Sequence, residues 1–188
     1  MKQAIVYGGA FNPPTTAHQE IVQQCILLAK EMTAEVWLMP SGDRLDKTIG
    51  LPTEKRLQLI DALCRSIDYR GVTLRIEQSE IKSNAHTQTF TTVEHLQSQN
   101  PEYNLKWVFG SDSIGTMKQW RNGLWLYDTL DMIVVERSGV ALQTIPPKAT
   151  IMKYDGPMVS STMVREHIKK GTSYANLVPP QVYDVLSR

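Results

Sequence analysis

The chain has 188 residues, 41% of them apolar and 21% charged, which is the profile of a soluble globular protein of one ordinary domain. Its 20 Lys and Arg against 19 Asp and Glu leave a net charge of +1, an argument against bulk nucleic-acid binding, and no apolar run approaches membrane-spanning length. The two cysteines, Cys25 and Cys64, fall on apolar helix faces and read as small core residues, so a reducing cytoplasm is expected rather than a disulfide scaffold.

The first predicted element is a buried strand, Ala4–Tyr7. Gly8 and Gly9 then allow a tight turn, and Pro13 and Pro14 forbid regular structure until about Thr15. From Thr16, the residues Ile21, Val22, Cys25, Ile26, Leu28 and Ala29 recur at helical spacing to about residue 30. Glu35–Met39 is a second strand, stopped by Pro40. After a polar loop, Thr53 reads as the N-cap of a helix whose apolar face is Leu57, Ile60, Leu63, Cys64 and Ile67. Val72–Ile76 alternates as a third strand, and Thr89–Gln99 is a helix with Phe90, Val93 and Leu96 inward. Leu105–Phe109 is the fourth strand, with a turn at Gly110-Ser111-Asp112, and a short helix carries Ile114, Met117 and Trp120. Asp131–Val135 and a weaker Ala149–Met152 are the last strands. Ser161–Lys170 is a helix closed by Gly171, and Pro179–Leu186 ends the chain.

Strands that read as near-continuous apolar runs, alternating with helices, imply an α/β fold with a doubly wound parallel sheet covered on both faces. Residues 1–188 are expected to form a single domain, with a C-terminal helical part from about 159 to 188. Ligands in such folds bind beyond the carboxyl ends of the strands, where strand order reverses.

Three constellations sit at such places. The loop Gly8–His18 joins a strand, a glycine turn and a helix N-terminus, which together favour phosphate through exposed N–H groups and the helix dipole. Thr15 and His18 are three apart and share one face of the helix start; His18 donates from one ring nitrogen when neutral and two when protonated. The plainer alternative is a histidine that caps its helix. In the second, Ser160, Ser161 and Thr162 open a helix with Arg165 one turn in, a further anion cradle or else an ordinary cap beside a solvated arginine. In the third, Gly110, Ser111, Asp112 and Ser113 end a strand, where an acid can bond ribose hydroxyls or simply cap a helix. Trp120 is a stacking surface or core, and Lys47 and Arg56 flank the loop after the second strand, where either could hold a phosphate. There is no G-x-G-x-x-G, no P-loop motif and no G-x-S-x-G elbow, and His86, His95 and His167 lack metal-ligand spacing.

These stretches together resemble a known family. Gly8–His18 resembles the T/H-x-x-H loop of the nucleotidyltransferase superfamily, and Val159–Arg165 its I-S-S-T-x-x-R motif. Val108–Ser113 followed by Trp120 is similar to the G-A-D-S…W segment of bacterial nicotinate-mononucleotide adenylyltransferases. Thr89–Leu96 resembles that family's S-Y-T-x-D-T-L segment, and Val134–Gly139 its V-x-R-P-G turn. The chain departs from the pattern at Thr15, where the bacterial branch usually has histidine, at Ala17 and at Thr91.

The resemblance implies a Rossmann-like nucleotidyltransferase fold and transfer of AMP from ATP to a pyridine mononucleotide, nicotinate or nicotinamide, with release of pyrophosphate. Its implied catalytic residues are His18 and Thr15 at the α-phosphate. Its implied ATP contacts are Gly8, Gly9, Ala10, Phe11, Gly110 and Asp112, with Ser160, Ser161, Thr162 and Arg165 on the β- and γ-phosphates. Asn12, Lys47, Thr89, Trp120 and Arg137 are expected to hold the mononucleotide. Magnesium is expected to arrive with ATP, bound mainly through phosphates and with no protein metal cage. No nucleic acid or membrane partner is expected, and self-association is left open. The alternatives are a related phosphopantetheine adenylyltransferase or cytidylyltransferase, a non-catalytic nucleotide-binding regulator, and a dinucleotide hydrolase.

Overall fold

A computed structural model describes residues 1–42, 50–83, 88–137 and 144–188, without the side chain of Arg137. In chain order the elements are β1 (Lys2–Gly9), α1 (Thr16–Met32), β2 (Glu35–Pro40), α2 (Thr53–Arg65), β3 (Leu74–Ile76), α3 (Thr89–Gln99) and β4 (Tyr103–Gly110). The second half follows as α4 (Ser111–Met117), α5 (Gly123–Thr129), β5 (Met132–Arg137), β6 (Ala149–Tyr154), α6 (Ser161–Lys170) and α7 (Pro180–Leu186).

All six strands are parallel, in the order β3-β2-β1-β4-β5-β6. The first half winds outward from β1 to β3; the second starts again beside β1 and winds the other way. The strand order therefore reverses between β1 and β4, and the chain leaves the carboxyl ends of these neighbours in opposite directions. That opens the crevice where ligands bind in doubly wound sheets.

Alternation along each strand sends side chains to two cores. Ile5, Val36, Leu38, Val108 and Ile133 meet α1, α2 and α7 on one face. Ala4, Val6, Trp37, Trp107 and Val134 meet α3, α4 and α5 on the other. Cys25 and Cys64 are buried in the first of these, and burial pushes their thiols up to about 12 and about 11.

Several expectations need correction. Pro52, not Thr53, stands at the cap of α2: its carbonyl accepts the Arg56 N–H at 3.0 Å, so Thr53 is already helical. The third strand shortens to Leu74–Ile76. Gly110-Ser111-Asp112 is not a turn; Gly110 is the extended cap from which α4 starts at once. Trp120 lies beyond α4, in a tight connection where Trp120 N–H bonds Met117 and Gly123 N–H bonds Trp120. Helix α5, absent from the sequence reading, follows. A Cβ on Gly123 would run into the Met117 carbonyl, so only glycine allows the two short helices to approach this closely.

Candidate active site

The turn after β1 is built around an inward phenylalanine. Phe11 sits at φ 44 with its ring almost fully buried, edge-on to Tyr7 at 5.7 Å and tilted against His18 at 5.2 Å. Its ring also lies under Gly9, where a Cβ would come within 3.3 Å. The aromatic ring thus supports both the glycine turn and the histidine behind it.

Thr15 caps α1 and is 0% exposed. Its main-chain N–H donates to His18 Nδ1 at 3.0 Å, its hydroxyl lies 2.8 Å from the same nitrogen, and the His18 N–H donates back to Thr15 Oγ1 at 3.4 Å. A main-chain N–H can only give a proton, so Nδ1 must receive it and the ring proton belongs on Nε2. The capping box turns Nδ1 of the ring to Thr15, with Nε2 on the far side of the ring. Buried and engaged in this way, Thr15 holds the His18 ring.

At the other end of the chain, Ser160 caps α6 by accepting the Met163 N–H at 3.2 Å. Ser161 Oγ donates to the Pro13 carbonyl at 2.8 Å. Arg165 donates through Nη1 to the Asn12 carbonyl at 2.6 Å and through Nη2 to Thr162 Oγ1 at 3.0 Å. The turn after β1 and the start of α6 are therefore one assembly, stitched together at Asn12 and Pro13. Asn12 is 3% exposed and its side-chain Oδ1 has no partner, an acceptor left open inside this assembly.

Beside the turn, a cleft of about 170 Å³ lies over the carboxyl ends of β1, β2 and β4. Gly8, Gly9 and Ala10 line it together with Trp107, Phe109 and Trp120, and Phe109 and Trp120 lie edge-to-face at 6.2 Å. Glu80, Thr89, Thr92 and Ser41 line it as well. Of the expected residues, the fold brings Gly8, Gly9, Ala10, Thr89 and Trp120 to this cleft, with Phe11, Asn12, Thr15 and His18 in the adjoining turn. Gly110 and Asp112 stand at the end of β4, the Asp112 carboxylate lying over Gly110 and exposed to solvent.

Arg56 does not hold a phosphate at the surface. It is 2% exposed, and it donates to the carbonyls of Ala10 at 3.0 Å and Ser41 at 2.6 Å, bracing the turn from below. Lys47 and His86 lie outside the described residues, as does the Arg137 side chain. His95 is exposed, and His167 sits 2.9 Å from Thr172 Oγ1 at the end of α6. Among the described residues no group of three or more His, Cys, Asp or Glu could hold a metal, and no helix is long and apolar enough to cross a membrane. Glu80, Thr92 and Phe109, which line the cleft, were not singled out as site residues from the sequence, whereas Ser113 was read there as part of the segment ending β4. Phe109 could have been found as the last aromatic of a strand ending at the reversal; Glu80 and Thr92 carry no local signal.

Comparison with known proteins bears on what this arrangement is. The sequence model of the cytidylyltransferase-like family matches residues 6–167. A Sulfurovum protein named probable nicotinate-nucleotide adenylyltransferase is 30% identical, over 92% of this chain and 87% of its own. A Clostridium tetani protein of the same name is 27% identical over 100% of this chain and 98% of its own. Among solved structures, Plasmodium falciparum nicotinic acid mononucleotide adenylyltransferase complexed with NaAD is similar with a TM-score of 0.81 at 20% identity, covering 100% of this chain and 95% of that one. That last likeness speaks to the fold.

Proposed function

The chain belongs to the cytidylyltransferase-like family, among the nicotinate-nucleotide adenylyltransferases, and from that premise we propose that it transfers AMP from ATP to nicotinate mononucleotide, forming the dinucleotide and pyrophosphate. The observation that carries this reading is the stitching of α6 to the turn after β1, beside a cleft with aromatic walls. One side suits a triphosphate and the other a flat ring.

The reaction needs no enzyme nucleophile. An oxygen of the acceptor's 5′-phosphate attacks the α-phosphorus of ATP, the bond to the bridging oxygen breaks, and pyrophosphate leaves with the electron pair. Catalysis is positioning of two polyanions plus stabilisation of charge on the transferring phosphate. In this scheme His18 donates from Nε2 to the α-phosphate, and Thr15 holds the ring in the tautomer that makes this donation available. The N-terminus of α6, Thr162 and the guanidinium donors of Arg165 not used on Asn12 and Thr162 receive the β- and γ-phosphates. Ser161, its hydroxyl spent on Pro13, keeps α6 in place. Gly8, Gly9 and Ala10 offer main-chain groups to phosphate, and Gly110 and Asp112 flank the adenosine. Trp120, Phe109 and Thr89 bracket the pyridine ring, with Asn12 Oδ1 as an acceptor for the mononucleotide. Magnesium would be held mainly by the phosphates of ATP and would supply charge neutralisation there, beside N–H, hydroxyl and guanidinium donors contributed by the turn after β1 and by α6.

The test is direct. The protein is incubated with ATP, magnesium and each of nicotinate and nicotinamide mononucleotide, and dinucleotide and pyrophosphate are quantified. Stoichiometric products with the nicotinate substrate support the reading; absence of product with both overturns it.

A further inference from the structure

We propose that Glu80 is a positioning residue for the acceptor substrate, a carboxylate latch that holds the Thr89 wall of the cleft against the end of β2. The segment that carries it is itself fixed: Glu77 N–H bonds Leu38 O at 2.8 Å, and Ile81 is buried one residue after the carboxylate. From there Glu80 uses both oxygens. Oε1 accepts the hydroxyl of Thr92, and Oε2 accepts the Gly42 N–H at 3.3 Å. Thr92 is 6% exposed and lies in the first turns of α3, a helix with no acidic residue in its own first turn. The Glu80 charge therefore also meets the positive end of α3.

The neighbouring residue to Gly42 is held from the opposite side, because the Ser41 carbonyl accepts from the buried Arg56. Two successive residues at the exit of β2 are thus pinned, one by a guanidinium and one by a carboxylate. Hydrogen bonds to charged groups are among the stronger ones, and loss of an acceptor strands its buried donors. Without Glu80, the Thr92 hydroxyl and the Gly42 amide both lose this partner, and the tie between the start of α3 and the exit of β2 is lost. Ser41, Glu80, Thr89 and Thr92 line the same cleft as Trp120, so the latch holds part of its lining in place. None of the contacts described for α6 or for Thr15 and His18 involves Glu80. The inference rests on reading the cleft as the acceptor site.

The experiment compares wild type, Glu80→Ala, Glu80→Gln, Thr92→Val and the double variant Glu80→Ala/Thr92→Val. Each is assayed with ATP and nicotinate mononucleotide, and hydrogen exchange is followed at residues 41–42 and 88–93. Glu80→Ala is expected to raise the mononucleotide KM about tenfold or more, with ATP KM changed less than about twofold. Glu80→Gln keeps one acceptor and is expected to recover part of the loss, which also covers an alanine variant that folds poorly. Thr92→Val should add little in the Glu80→Ala background. Exchange of both segments should speed up together in Glu80→Ala. Equal rises in both KM values, unchanged kinetics, or exchange confined to one segment overturns the latch. If the wild type makes no dinucleotide but the two segments still loosen together, the latch stands and the acceptor-site reading fails.

Discussion

Arg165 Nη1 lies 2.6 Å from the main-chain oxygen of Asn12, 153 positions away in sequence. Half-buried and bonded to a carbonyl of the distant turn, this guanidinium is tied into the fold. It makes the placement of α6 a condition for the geometry of the turn after β1. Arg165→Lys keeps the charge but loses the planar fork, so it cannot serve Asn12 and a phosphate together. Turnover at saturating mononucleotide is expected to fall by a factor of about 100 with ATP KM raised, read by initial-rate kinetics. Ser161→Ala, which removes only the bond to Pro13, should cost about 1 kcal/mol in urea denaturation.

His18 and Thr15 should separate chemistry from positioning. His18→Ala is expected to lower kcat by a factor of about 100 to 1,000. Thr15→Val removes the hydroxyl that caps α1 and faces Nδ1, so it should destabilise the protein by about 1 kcal/mol and lower kcat as well. Thr15→Ser retains the hydroxyl and should restore most of both. A Thr15→Val protein with wild-type kcat would remove Thr15 from the histidine's function.

Trp120→Ala opens one wall of the cleft. The mononucleotide KM should rise about tenfold, since stacking and edge contacts of this kind are worth about 0.5–1.5 kcal/mol beyond area burial. The ATP KM should move much less. Trp120→Phe is expected to lie between.

Gly123→Ala places a Cβ on the Met117 carbonyl, where neither backbone can yield cheaply. The expected result is destabilisation by about 1–3 kcal/mol, seen as a lowered Tm, together with a raised mononucleotide KM because the Trp120 turn shifts. Gly171→Ala, at φ 65 on the end of α6 with open space around it, should cost less and leave kinetics unchanged.

Cys25 and Cys64 have thiols pushed up to about 12 and about 11 from 9.0 by burial. At pH 8 neither should react with a thiol reagent in the folded protein, and both should react in denaturant. Because the folded pKa values are raised, the unfolded chain loses these protons first. Their contribution to stability is full below pH 9 and declines as pH rises from about 9 towards 11–12. Urea midpoints measured at pH 8 and pH 10.5 check the sign; replacing both cysteines by alanine should flatten that part of the profile.

Periodicity in this sequence sufficed for α1, α3 and α6, whose spans follow directly from apolar spacing and, for α6, from Gly171 in the left-handed region. It was also enough for a parallel sheet, because strands buried on both faces must read as unbroken apolar runs. Of the short pair, α4 was legible from Ile114 and Met117, but α5 was not: seven residues give two turns, too few for a period, and the junction that separates it from α4 depends on Gly123 fitting against a backbone it meets only after folding.

For the candidate site, the turn before His18 and the Ser160–Arg165 run were legible as local patterns, a glycine turn before a helix and a hydroxyl run opening one, both of a kind that favours anions. Their partners were not. Which hydroxyl faces a ligand and which is spent inside the protein is decided by distant carbonyls: Pro13 takes Ser161, Asn12 takes Arg165, and Ala10 and Ser41 take Arg56. A hydrogen bond satisfied across the fold removes a donor from the ligand's side. The sequence alone determined that a glycine turn before a helix and a hydroxyl run opening another lie at opposite ends of the chain; only the tertiary structure, through the bonds of Ser161 to Pro13 and Arg165 to Asn12, decided that the two lie together, because those carbonyls meet their donors only after folding.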